Sequence, residues 1–197
     1  MPSPPKTTEA EIVAAARKLV ERRGRNGFSM NDVAEAVGVR APSLYGRFVD
    51  RASLLAAVEI ELWDALRRAL ARAPAQGDPA RALATFARAY RAFAKAHPQG
   101  YALIYDAEAE RTEEGARARA AALAPTMPSF VALVGERNAL GAARVLTPFL
   151  HGFVSMELSG AFRFGGGLDE AFERGVTTIL AGLEKTRRAK RPARLRG

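Results

Sequence analysis

Between Ser29 and Arg51 the chain gathers side chains whose donors suit nucleic acid. Arg40, Ser43, Tyr45 and Arg47 fall within eight positions, with Pro42 among them, Ser29 ahead and Arg51 behind. A planar guanidinium at Arg40 can fork to O6 and N7 of guanine, and the Ser43 hydroxyl can donate or accept at a base edge. Tyr45 and Arg47 suit phosphate and sugar, contacts that set register without reading sequence. Arg51 adds a positive charge beside the unpaired N–H groups that open a helix, where phosphate is attracted, and Ser29 can act in the same way from a capping position. For Tyr45 the competing reading is a ring half-buried against the first helix with only its hydroxyl outward.

Such side chains need a rigid mount, and the pattern around them supplies one. Met30, Val33, Ala34 and Val37 recur at i, i+3, i+4 and i+7, one apolar stripe of a short helix. Ser29 caps it and Asp32 favours its positive end. Gly38 provides a tight turn with positive φ, and Val39 plugs the corner. Pro42 fits the first turn of a second helix, where its missing N–H has no partner to lose. In that second helix only Leu44 and Phe48 need to face the protein. So little hydrophobic grip suits a recognition helix in a helix-turn-helix better than a purely structural element. The alternative is a small helical corner whose arginines are merely solvated.

The apolar first helix from Ile12 to Val20, Phe28-Ser29, Val33-Ala34, Val37-Gly38-Val39, Leu44-Tyr45-Gly46-Arg47-Phe48 and Arg51 together resemble the N-terminal domain of the tetracycline-repressor (TetR) family of bacterial transcriptional regulators. Two positions depart from that pattern. Arg40 stands where Ser or Thr commonly caps the recognition helix, and Arg47 where His is commonest. The C-terminal part resembles a subgroup with a His-Pro-x-x-Tyr and a Trp-His-Gly segment, here His97-Pro98-Gln99-Gly100-Tyr101 and Leu150-His151-Gly152, with Leu in place of Trp. The resemblance implies an all-α fold: a three-helix DNA-binding domain with a helix-turn-helix, then a helical ligand-binding and dimerisation domain. It also implies phosphate contacts from Tyr45 and Arg51, and a homodimer closed by a four-helix bundle across a two-fold axis.

Composition sets outer bounds. A chain of 197 residues fits one or two small domains. The absence of cysteine excludes disulfides, thiolate nucleophiles and cysteine metal sites, and fits a cytoplasmic protein. No signal-like apolar run follows Lys6, and the longest charge-free apolar stretch, between Arg144 and Glu157, falls short of the ~18 residues a membrane span needs. The net charge of +9 is unevenly spread. Residues 1–51 hold nine Lys/Arg against six Asp/Glu, residues 52–184 hold 14 against 15, and residues 185–197 hold seven against none. Much of the basicity is therefore the tail KTRRAKRPARLRG, read as a disordered segment that either stays solvated or adds non-specific DNA contact. Arg outnumbers Lys 25 to 5, which together with abundant Ala fits genome composition as well as phosphate binding.

Helical pattern continues to the end. A first helix opens with the capping pair Thr8 and Glu11 and stops near Gly24. A fourth helix runs from Asp50-Arg51 past Trp63 to about Arg72, then a loop to Gly77, and a fifth from Pro79 to before Pro98. A short helix over 100–107 precedes a solvated charged stretch, Glu108 to Arg119, and a break at Pro125 and Pro128. Two closing helices, 141–162 and 168–188, flank Gly165-Gly166-Gly167. The domains expected are 1–53 for DNA, 54–188 for effector binding and dimerisation, and a basic tail at 189–197.

On the closing helices, small residues at Gly152, Ser155, Ser159 and Gly160 and a stripe of Gly175, Val176, Ile179, Leu180 and Leu183 are candidates for the dimer surface, with packing inside the chain as the alternative. Trp63, Phe93, Tyr101, Tyr105, Phe149 and Phe153 are candidates for an apolar, aromatic effector pocket; the same spacing also fits ordinary core. His97 and His151 are structural or hydrogen-bond a ligand. Two histidines without clustered carboxylates do not make a metal site, and nothing points to a cofactor or a catalytic motif. The reading is thus a sequence-specific transcriptional regulator, a repressor released from palindromic double-stranded operator DNA by a small-molecule effector, with no membrane partner. The rival is a helical carrier or enzyme whose N-terminal helices only pack.

Overall fold

The computed structural model describes residues 7–72, 77–105 and 112–189. Among them are ten α-helices, one 3-10 turn and no strand. Helix α1 (Glu9–Arg23) begins where Thr8 and Glu11 form a reciprocal capping box, Thr8 N–H donating to Glu11 Oε2 at 2.7 Å. It buries Ile12, Val13, Ala16, Leu19 and Val20 and ends at Gly24. Helix α2 (Met30–Ala36) opens on a second box, Ser29 with Asp32. Its end is closed by Gly38 at φ +70°, with Gly38 N–H donating to Glu35 O and Val39 N–H to Ala34 O at 2.9 Å. That crossed pair is the glycine closure expected of a helix C-terminus. Helix α3 (Ala41–Tyr45) follows, and α4 (Arg51–Ala71) starts where Asp50 and Ser53 cap one another, Ser53 N–H donating to Asp50 Oδ1 at 2.7 Å.

The remaining helices are α5 (Pro79–Ala96), α6 (Pro98–Ile104), α7 (Glu113–Leu123), α8 (Met127–Val134), α9 (Glu136–Leu158) and α10 (Leu168–Ala189), with a 3-10 turn at Ala124–Thr126. Three expectations are corrected. The prolines at 125 and 128 do not mark a plain break: each sits in the opening turn of a helical segment, where no N–H is required, and Pro128 is the second residue of α8. The eighth helix expected at 141–162 is α9 and begins five residues earlier, because Gly135, at φ +83°, is the terminator and Gly141 is helix interior. It also ends sooner, at Leu158, where Gly160 and Ala161 repeat the closure seen at Gly38. Of the charged stretch read as solvated, Glu113 to Arg119 lies in α7, while Glu108 to Arg111 falls outside the described residues, as does the tail beyond Ala189.

Packing divides the chain into two compact units, Met1–Leu66 with Ala96–Ala122, and Arg67–Lys95 with Leu123–Gly197. In the first, α1 packs against α2 and α6, and α2 against α3. Its core includes Ile12, Leu19, Val33, Leu44, Leu54 and Leu62. In the second, α8 packs against α9 and α10, and α9 against α10, over a core that includes Leu83, Tyr90, Phe130, Leu146, Phe172 and Val176. No single helix among the described residues is long and apolar enough to cross a membrane.

Candidate nucleic-acid interface

The five-residue helix α3 is held by one fully buried side chain, Leu44, with Phe48 buried just beyond its end. Arg47 and Phe48 both donate their N–H to Leu44 O at 2.9 Å, tightening the exit. Everything else turns outward: Arg40, Pro42, Ser43, Tyr45 and Arg47 are exposed, Tyr45 by 52 %. The half-buried alternative for Tyr45 is therefore not what the fold adopts. Arg40 occupies the N-cap position of α3 without a side-chain cap bond, so its guanidinium is not spent on the helix. Val49, 84 % exposed, extends this face with an apolar side chain. Sequence periodicity missed it, because it lies between the anchor Phe48 and the cap Asp50, outside either helix.

Ser29 is committed to its helix. Its hydroxyl accepts from Asp32 N–H and donates to Asp32 Oδ2 at 2.5 Å. Bonds from the Ser29 side chain and backbone, and then from Arg23 at 2.7 Å, hold the Asp32 carboxyl far below the usual carboxylate range. Arg51 differs in orientation from the rest of the set. It is half-buried, its Nε donates to Phe28 O at 3.1 Å and its Nη2 to Arg25 O, and its guanidinium carbon lies 4.8 Å from the centre of the Phe28 ring. Burial, and then the charge of Arg25, push its guanidinium pKa down.

The aromatic candidates separate into two groups. In the first unit Trp63 meets Tyr105 edge-on at 5.6 Å, and Tyr105 meets Tyr101 at 4.9 Å. Trp63 is fully buried and donates its indole N–H to Glu59 at 3.1 Å, while Tyr105 is partly exposed. In the second unit Phe149 and Phe153 lie 6.0 Å apart, and Phe162 and Phe172 join them, whereas Phe93 is buried in α5. Of the six residues expected to line one pocket, five thus fall in two clusters in different units, and Phe93 is buried in α5. A groove of about 1240 Å³ in the first unit has another character: Thr8, Glu11, Ala15, Lys18, Glu21 and Val37 line it. Charged side chains alternate there with small apolar ones, and no Phe, Tyr or Trp lines it, unlike the aromatic-rich lining usual for small-molecule sites.

The two histidines sit in different units. His97 sits at the N-cap position of α6 with Nδ1 3.4 Å from Glu21 Oε1. His151 is half-buried in α9, and burial pushes its imidazole pKa down. On α10, Val176 and Leu180 are buried within the protomer and Gly175 lies against Phe149, which leaves Ile179 and Leu183 partly exposed. On α9 the exposed stripe is Gly141, Val145, Pro148, Gly152 and Met156, while Gly160 lies past the helix end in a turn. Among the described residues no three His, Asp or Glu side chains gather as a metal site.

Sequence reasoning did not find Arg91, the one buried charged residue among those described. It forks to Glu157 with both bonds at 2.7 Å, reaches Asp169 at 2.8 Å and lies over the rings of Phe172 and Phe153. The signal was present: Ala87, Arg91 and Ala94 share a helical face at i, i+4 and i+7, which puts a charge on the buried stripe of α5.

Comparison with known proteins agrees with this geometry. Residues 12–58 match the family described as bacterial regulatory proteins, tetR family, and residues 83–179 match the tetracyclin repressor-like C-terminal domain. An uncharacterized HTH-type transcriptional regulator of Mycobacterium tuberculosis is 30% identical over 189 residues, covering 92% of this chain and 84% of that protein. A solved protein with unknown function from Rhodococcus sp. RHA1 is 25% identical with a TM-score of 0.78, covering 93% of this chain and 99% of that one. A TetR variant from Acinetobacter baumannii AYE, solved in complex with minocycline, is 24% identical with a TM-score of 0.68, covering 92% and 99%. Regulators of this kind are generally not enzymes. The chain belongs to the TetR family and is a DNA-binding transcriptional regulator with a C-terminal ligand-binding domain.

Proposed function

We propose that this regulator is a cytoplasmic homodimeric repressor that leaves a palindromic operator when a small apolar or aromatic effector binds. The observation that carries the reading is the outer face of α3, where Arg40, Pro42, Ser43, Tyr45 and Arg47 are all exposed on a helix anchored by Leu44 alone. Arg40 and Ser43 read base edges, and Tyr45 and Arg47 hold phosphate and sugar. Ser29, expected among the phosphate contacts, gives both its donors to Asp32 and serves as the cap of α2. Arg51, whose Nε and Nη2 donate to carbonyls inside the domain, supports this face. One such helix reads only a few base pairs, so two copies on half-sites about one helical turn apart are needed. The exposed stripe Gly141, Val145, Pro148, Gly152 and Met156 on α9 suits a second copy, since Gly141 and Gly152 have open space before them.

We assign DNA binding to residues 1–53, and effector binding and dimerisation to 54–188. The two aromatic clusters, Trp63 with Tyr101 and Tyr105, and Phe149 with Phe153 in the unit that also holds Phe93, are the candidate effector sites. The effector acts by favouring a state whose recognition helices no longer match successive major grooves.

The test is fluorescence-polarisation titration of DNA from upstream of the protein's own gene, with excess random competitor at ~150 mM salt, where non-specific binding is weak. Saturable binding that survives competitor supports the reading, and Arg40→Ala should then cost ~1–3 kcal/mol and relax preference at one base step. Equal loss on specific and random DNA would refute base reading by Arg40. Trp63 is the only tryptophan in the chain, so its emission reports on effector candidates at the first cluster. A ligand that binds tightly and leaves operator affinity unchanged would remove the release mechanism.

A further inference from the structure

Arg51 stands where the family resemblance expects a phosphate anchor, yet its Nε and Nη2 donate inside the domain. The Nε and Nη2 edge of its guanidinium serves two backbone carbonyls, those of Phe28 and Arg25, and its plane lies over the Phe28 ring. Those acceptors belong to the segment between α1 and α2, residues 24–29. Within the same segment the backbone closes tightly on the end of α1: a Cβ on Gly27 would lie 2.1 Å from the Arg23 carbonyl oxygen. The link runs from the first residue of α4 to the loop that carries Ser29 and Arg25 into α2.

We infer that Arg51 is a positioning residue, which fixes the segment leading into α2 against the start of α4 and so holds the α2–α3 face in register, rather than binding phosphate itself. This role rests on the DNA-binding reading of the α2–α3 face. A guanidinium suits it because one rigid fork satisfies two carbonyls while its flat face stacks on a ring. An ammonium keeps the charge but can do neither together. A phosphate anchor has a different requirement: charge at the surface, which Lys retains as a point charge, so its salt slope survives Arg51→Lys and falls in Arg51→Ala.

The experiment therefore separates charge from geometry. The full chain and its Arg51→Lys, Arg51→Ala and Phe28→Leu variants are titrated with the upstream DNA fragment and with a random duplex over a range of salt. Each phosphate neutralised adds about 0.9 to the slope of log affinity against log salt. With Arg51 as a positioning residue, Arg51→Lys loses about tenfold or more in affinity for the specific fragment, the fold-change set by the lost fork. All variants keep the wild-type salt slope. Amide exchange at Gly27 to Ser29 in the free protein accelerates in Arg51→Lys. Phe28→Leu, which leaves the charge in place and removes only the ring, also weakens specific binding at unchanged slope. Wild-type affinity for Arg51→Lys, together with a slope reduced by about one phosphate in Arg51→Ala, would overturn the assignment. A wild-type chain that binds neither DNA would sink the DNA reading and this role with it.

Discussion

Each unit holds an arginine stacked on aromatic carbon, and the two are built on opposite principles. Arg51 gives its hydrogen bonds to neutral carbonyls and sits beside another arginine, Arg25, so burial pushes its pKa down and its charge is not cancelled. Arg91 gives its bonds to Glu157 and Asp169, and the bond to Glu157 above all pushes its pKa up. The first arrangement leaves net positive charge in a domain that must meet phosphate. The second is electrically closed and ties α5 to α9 and α10, which suits a scaffold. The same residue type therefore serves a binding region or a framework region, and the acceptor chemistry decides which.

That contrast is open to attack by mutation. Arg91→Ala should have the largest effect, ~3 kcal/mol of stability in urea denaturation, because it leaves Glu157, whose side chain is only 10% exposed, with Lys95 as its remaining cationic partner. Arg51→Ala removes bonds to neutral acceptors that water can replace, worth roughly 0.5–1.5 kcal/mol each. Equal losses would erase the distinction. The pair also predicts a pH dependence. Hydrogen bonds from Arg91, then Lys95, hold the Glu157 carboxyl below its ordinary value of 4.5. Its contribution is thus fully present above that value and is lost as pH falls through the lower folded one. The urea midpoint should drop on acidification, and drop less in Arg91→Ala.

Gly175→Ala comes next. The new methyl would lie 2.4 Å from Phe149 Cζ, so the ring must move, at ~1–3 kcal/mol in thermal unfolding. Gly152→Ala, which meets open space inside α9, should not lower the isolated chain's stability and should raise it by up to ~1 kcal/mol. If it lowers sedimentation to that of a monomer, the α9 stripe is the contact between copies. Ser29→Ala should be smallest among the destabilising changes, ~1 kcal/mol from the lost cap, read by thermal denaturation.

Local rules were legible in the sequence, and remote pairings were not. Thr8 with Glu11, Ser29 with Asp32, and the turn at Gly38 each involve residues within about one turn of one another, so spacing alone placed them. The anchoring of α3 by Leu44 and Phe48 was readable for the same reason. Glycines misled where two competed: Gly135 and Gly160 terminate helices, Gly141 does not, and only the backbone conformation separates them. Arg91 finds Glu157 66 positions away, a partnership that periodicity does not encode. The aromatic residues could be counted but not assigned to clusters, because Trp63 and Tyr105 meet through tertiary folding across α4 and the end of α6. The orientation of Arg51 was hidden by the family pattern itself, which supplies a residue type and not a rotamer.

The first unit takes its chain from two separated stretches, ending at Leu66 and resuming at Ala96. A nascent chain that has passed Leu66 therefore carries its recognition helix out of the ribosome before α6 exists to cover α1. At ordinary rates of synthesis, completion of the unit waits on the order of several seconds more, until residue 122 emerges. During that interval the apolar side of α1 is open to chaperones, and a message truncated after α4 would yield a reading head that is present in sequence and unfinished in packing.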